Sequence, residues 1–112
     1  MNNREYGRIG EKIATEYLRK KGWTIIAQNY NTKVGEIDII AIDSDYLVFI
    51  EVKARNDISK GYPREAVTKY KQNRIRKAAL MFIAQNKKEN AKCRFDVIEI
   101  LNGNIEHIVN AF

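Results

Sequence analysis

An α/β fold of element order α-β-β-β-α-β-β, a mixed sheet flanked by helices, is predicted by three features of this 112-residue chain. Two stretches with helical periodicity bracket the most hydrophobic segment, which reads as a pair of strands joined by a polar turn. A second strand pair closes the chain around the turn signal Asn102-Gly103. No Pro/Gly/Ser-rich linker, internal repeat or low-complexity segment interrupts the sequence, so residues 1–112 are expected to form one domain.

Asn2 or Asn3 can cap a first helix that runs to about Lys21 and stops at Gly22. Tyr6, Ile9, Ile13 and Tyr17 form its expected central apolar stripe. Glu11 lies off that stripe, on the side of Gly7, Ala14 and Leu18. "WTIIAQNY" (23–30) reads as a strand and "NTKVG" as a polar turn. "GEIDIIAIDSDYLVFIEVKAR" (35–55) then reads as a hairpin, followed by a loop over 56–62. Pro63 suits the first position of a second helix reaching about Gln85, with Val67, Ile75, Ala78 and Phe82 on its inner face. "NKKENAK" is a solvated connector to the closing strands "CRFDVIEI" and "IEHIVNAF".

Twenty Lys and Arg against fourteen Asp and Glu give a net charge of +6, which favours a polyanionic partner, most simply nucleic acid. Cys93 is the sole cysteine and His107 the sole histidine, which rules out intramolecular disulfides and Cys/His zinc sites. A lone histidine in a terminal strand is more often structural than catalytic. The first residues lack the apolar core of a signal peptide, and no run approaches membrane-spanning length. A cytoplasmic protein with no membrane partner is the expectation.

The hairpin carries Glu36 and Asp38 at its start and Glu51 and Lys53 near its end. If Ser44-Asp45 is a two-residue loop, Ile42 faces Leu47, Ile40 faces Phe49, Asp38 faces Glu51 and Glu36 faces Lys53. All four charges then share one face, while Ile37, Ile39, Ile50 and Val52 make the other face apolar. Opposed side chains have Cβ atoms roughly 4.5–5.5 Å apart, and like charges so placed destabilise a sheet. Two carboxylates at that distance can both reach one Mg²⁺, whose bonds to oxygen are about 2.0–2.1 Å long. The competing reading is a frayed hairpin end with Glu36–Lys53 and Asp38–Arg55 surface pairs, which contribute little. Helical phase puts Lys71 in the inner stripe, where it either snorkels to water or points at the carboxylates or a bound phosphate. Glu11 reads by default as a solvated helix-surface acid, with a place at the metal as the alternative.

"GEID" followed by "FIEVKAR" resembles the PD-(D/E)xK nuclease superfamily, with Asp38 as the strand acid and Glu51-Val52-Lys53 as the E-x-K element. Ile37 stands where the superfamily name has proline. Nearly the whole chain is similar to the uncharacterised bacterial YraN family, related to archaeal Holliday junction resolvases. That similarity is carried also by "GRIGEKIATEYLRKKGW", "EAVTKYKQNRIRKAAL" and "RFDVIEI". It implies a restriction-endonuclease-like three-layer fold and a metal-dependent nuclease acting on DNA, with branched or damaged structures as candidate substrates. Asp38 and Glu51, with the Val52 carbonyl, would hold Mg²⁺ or Mn²⁺, and Lys53 would orient a water or offset charge in the transition state. Glu36 and Glu11 could hold a second ion or an outer-sphere water, and Lys71 would join the catalytic group. Lys69, Lys71, Arg74, Arg76, Lys77 and Arg55 would contact phosphates without reading sequence. Kinship to resolvases further implies a homodimer, because a junction has two strands to cut. Two other classes stay open: a non-cleaving nucleic-acid-binding module of a repair or recombination assembly, and an interaction protein whose basic helix docks an acidic partner.

Overall fold

The computed structural model describes residues 3–55 and 67–112. Its elements are α1 (Asn3–Lys20), β1 (Thr24–Asn31), β2 (Glu36–Asp43), β3 (Tyr46–Arg55), α2 (Lys69–Gln85), β4 (Lys92–Leu101) and β5 (Asn104–Ile108). The expected order therefore holds. The five strands form one mixed sheet in chain order, antiparallel except for the parallel pair β3–β4. One core cluster joins Ala14 and Leu18 of α1 to Ile39, Val48, Ile50, Ile98 and Ile100. A second joins Ile75, Ala78, Ala79 and Phe82 of α2 to Ile40, Leu47 and Phe49. Leu47 and Phe49 alternate with Val48 and Ile50, so the helices cover opposite faces and the molecule has three layers.

The turn chemistry follows the sequence. Gly22 has φ 89°, its N–H donates to the Arg19 carbonyl at 2.9 Å and the Trp23 N–H to the Leu18 carbonyl at 3.1 Å. Those two bonds are the Schellman closure of a helix. Ser44 takes φ 55° in the two-residue loop, and Asp43 pairs with Tyr46 as expected. Asn102 and Gly103 both have positive φ, 52° and 81°, as a type I′ hairpin turn requires.

Three expectations are corrected. The face that α1 buries is centred on Gly10, Ala14 and Leu18, and Ile9 is exposed, because the helix backbone at Gly10 lies against the Ala54 side chain. The second helix begins at Lys69, not Pro63; Thr68 is its cap, with extended backbone and its hydroxyl accepting the Lys71 N–H at 3.1 Å. Pro63, the loop over 56–62 and the proposed cap Asn2 lie outside the described residues. The last strand ends at Ile108, short of "VNAF", because Asn110 takes φ 57° and donates its N–H to Asp96 instead of to a strand.

Candidate metal centre

The carboxylates meet where β2 and β3 separate. Their ladder covers Asp43–Tyr46 through Ile39–Ile50 and goes no further. Beyond it, Asp38 Oδ2 accepts the Val52 N–H at 2.8 Å, so a side chain takes a bond that a neighbouring strand's carbonyl would otherwise make. Strict alternation also fails here. Ala27 and its partner Ile40 pack on the α2 side, and so do Tyr30 and its partner Ile37, three residues further along each strand. The slip coincides with Asn29, whose φ is 51°. Ile37 thus joins the α2 cluster instead of the face expected from counting by twos, and Asp38 is left at the seam between layers.

Glu51 is 5 % exposed, and its Oε2 makes no hydrogen bond. Lys71 Nζ lies 3.5 Å from that oxygen as an ion pair without hydrogen-bond geometry. Burial pushes the Glu51 pKa up to about 9; a carboxyl–carboxyl hydrogen bond with Asp38 and repulsion by its charge add to this, while Lys71 and Lys53 pull the other way. Lys71 does not snorkel away: it also stands 4.0 Å from Glu36. Glu36 is bound to Arg74 at 3.2 Å, so the Glu36–Lys53 pair of the competing reading is not formed. Gly35 makes that contact possible, because a Cβ there would collide with the Arg74 carbonyl.

Glu11 reaches the same place from α1. Its pKa is raised by burial and then by the charge of Asp38, against a hydrogen bond from Asn29. Lys53 is half-buried and lies beside Glu99 in the parallel ladder. Glu99, 5 % exposed, was not predicted for this site; an acid recurring at the inward parity of "VIEI" was the available signal. Asn29 was also missed, because an asparagine between the polar Gln28 and Asn31 of a largely exposed strand gives no clear signal. Among the described residues, no group of three or more His, Cys, Asp or Glu side chains is arranged to hold a metal.

The predicted phosphate contacts are dispersed. Lys69 and Lys77 are exposed on α2, whereas Arg74 is engaged by Glu36. Arg76 lies over the Phe95 and Phe112 rings, at 5.8 and 5.2 Å. The Arg55 carbonyl accepts the Tyr6 hydroxyl at 2.9 Å, tying α1 to the end of β3.

His107 is structural, as a lone terminal-strand histidine usually is. Its Nε2 lies 2.7 Å from Asp96 Oδ2, and its Nδ1 lies 3.0 Å from the Tyr17 hydroxyl. Arg94 donates to both Asp96 oxygens, at 2.9 and 3.1 Å. Burial alone would raise the Asp96 pKa, but hydrogen bonds from His107, Arg94 and the Asn110 N–H outweigh it and hold the group below its ordinary 3.8.

No helix of the described residues is long and apolar enough to cross a membrane. A UPF0102 protein of Clostridioides difficile strain 630 is 48 % identical over 114 residues, covering all of both chains. One from Dictyoglomus thermophilum is 43 % identical over 118 residues, again covering both completely. A third, from Desulfosudis oleivorans, is 47 % identical over 115 residues and is covered to 94 % of its length. The model of the family described as "Uncharacterised protein family UPF0102" matches residues 10–100, so the chain belongs to that family, the YraN type its motifs resemble.

Proposed function

We propose that this protein is a divalent-metal-dependent phosphodiesterase of the PD-(D/E)xK kind, acting on DNA with branched or damaged structures as candidate substrates. The observation that supports this best is the buried Glu51 carboxyl beside Asp38, with an oxygen lacking any hydrogen bond. Burying the Glu51 carboxylate beside the half-buried Asp38 is costly unless a cation compensates them. The donor set fits Mg²⁺ or Mn²⁺, which are held by one or two carboxylates, with substrate phosphate and water completing the shell. Asp38 and Glu51 would hold the ion, with the Val52 carbonyl as a third oxygen. When bound, the ion polarises a phosphoryl oxygen and lowers the pKa of a water.

The chain's own groups do the rest. The Val52 N–H fixes Asp38 by its 2.8 Å bond. Lys53, beside Glu51 on β3, orients the attacking water or offsets charge in the transition state. Lys71 stabilises the ionised form of Glu51 and faces the incoming phosphate, while Glu36 restrains Lys71 and Arg74. Glu11 holds an outer-sphere water at the α1 edge.

The second reading is a non-cleaving nucleic-acid-binding module, favoured by the Lys71 ammonium already standing 3.5 Å from Glu51. Linear, flapped and four-way DNA incubated with Mg²⁺ or Mn²⁺ separates the two. The nuclease reading expects cleavage that disappears in Lys53→Met while affinity persists. Equal inactivity of wild type and Lys53→Met on every substrate would leave the binding module.

A further inference from the structure

The inward cations of α2 are already occupied: Arg74 by Glu36, Lys71 by Glu51 and Glu36, and Arg76 by two phenylalanine rings. On the other side of the sheet, α1 and β1 enclose an open groove of about 280 Å³. Arg8, Lys12 and Arg19 line it at spacings i, i+4 and i+11, which is one face of a helix. Among the described residues, none of these three forms an ion pair. Gln28 and Asn29 contribute amides from the β1 wall. Glu11 and Glu16 also line the groove, so three cations face two acids. Glu11 connects it to the carboxylate centre, standing close enough to Asp38 to feel its charge. A merely solvated basic face would be convex and would not be opposed by amides.

We propose that the groove between α1 and β1 binds the phosphodiester backbone of the nucleic-acid strand that crosses the carboxylate centre. Arg8 and Arg19 offer planar, bidentate donors to phosphate oxygens, Lys12 a point charge between them, and Gln28 a neutral donor. This rests on the nucleic-acid reading above. It shifts the principal phosphate contacts from the helix expected to carry them to the opposite layer.

The test uses the full chain carrying Lys53→Met, without metal, and fluorescein-labelled duplex and single-stranded oligonucleotides titrated over a range of KCl. Adding Arg8→Gln and Arg19→Gln is expected to weaken binding more than tenfold at low salt. On the duplex it should make the plot of log affinity against log salt shallower by about two units, close to 0.9 per lost phosphate contact. Side-chain amide resonances of Gln28 and Asn29 should shift as oligonucleotide is added. If the double variant does not fold, judged by circular dichroism, Lys12→Gln and the amide shifts serve instead, with a slope change of about one unit. Unchanged affinity and slope, motionless amide resonances, or no binding by the starting protein at low salt would each overturn the groove assignment. A wild type that binds through the groove but never cuts would overturn the nuclease reading alone.

Discussion

At Glu51, burial and the neighbouring Asp38 carboxylate act in the same direction, and both keep the proton on. The native pKa of about 9 lies above the ordinary 4.5, so the folded state binds this proton more tightly than the unfolded chain. The stability contributed by protonated Glu51 is full below pH 4.5 and is lost as pH rises towards 9. Thermal melts in a chelator should therefore show a falling midpoint across that window. Glu51→Gln should flatten the fall and melt higher than wild type near pH 8. Mn²⁺ should raise the wild-type midpoint there by binding the native state, and leave Glu51→Gln unmoved. Parallel pH curves for the two proteins would count against the acid pair. Asp38, Glu51 and Lys71 were legible in the sequence because a charge at an inward position of an apolar stripe demands a partner. Asp96 carried the same signal inside "RFDVIEI" and was not read as buried, although the structure places it at 0 % exposure.

Elements were legible in type and order, less so in phase. The first helix offers two candidate stripes, and hydrophobicity favours the one containing Ile9. Packing selects the other, because small residues let a helix axis approach a sheet closely. A Cβ added at Gly10 would stand 2.5 Å from Ala54 Cβ, so Gly10→Val should push α1 outward. Overpacking of this kind costs about 1–3 kcal/mol, measurable as a lower urea midpoint at unchanged slope. Cost-free substitution would contradict the close approach. The same rotation brings Glu11 towards Asp38, which counting along the helix could only offer as an alternative. In the strands, counting by twos fails at Asn29, where φ is 51°, and at Asp38, on either side of which Ile37 and Ile39 join opposite core clusters. Even so, the acids come together, through the length of the Asp38 side chain instead of through an opposed pair.

Across the whole molecule, the Asp96 network on β4 reaches its ladder partner β5 and also elements with which β4 shares no ladder. It links α1 through Tyr17, β2 through the Arg94–Asp43 pair at 3.3 Å, β5 through His107 and the C-terminal turn through Asn110. Because the native Asp96 pKa lies below 3.8, its contribution is present above that pH and is lost as pH falls through the lower native value. Asp96→Asn leaves Arg94 and His107 facing an uncharged amide, and should cost about 3–5 kcal/mol at neutral pH in urea unfolding. A loss confined to a few tenths would mean that the network is not cooperative. The strand order has a kinetic consequence as well. The antiparallel neighbours β1–β2, β2–β3 and β4–β5 are separated by short turns, so each can zip up locally. The parallel seam of β3 with β4 must wait until the chain has travelled out and back through α2. Closing that contact bears the largest loop entropy, and it is the slow assembly step that such a topology imposes. The seam is also what sets Val97 beside Glu51 and Glu99 beside Lys53. The β2–β3 hairpin can thus bring Asp38 and Glu51 near one another early, but the wall that Val97 and Glu99 add beside Glu51 and Lys53 is in place only once the seam has closed.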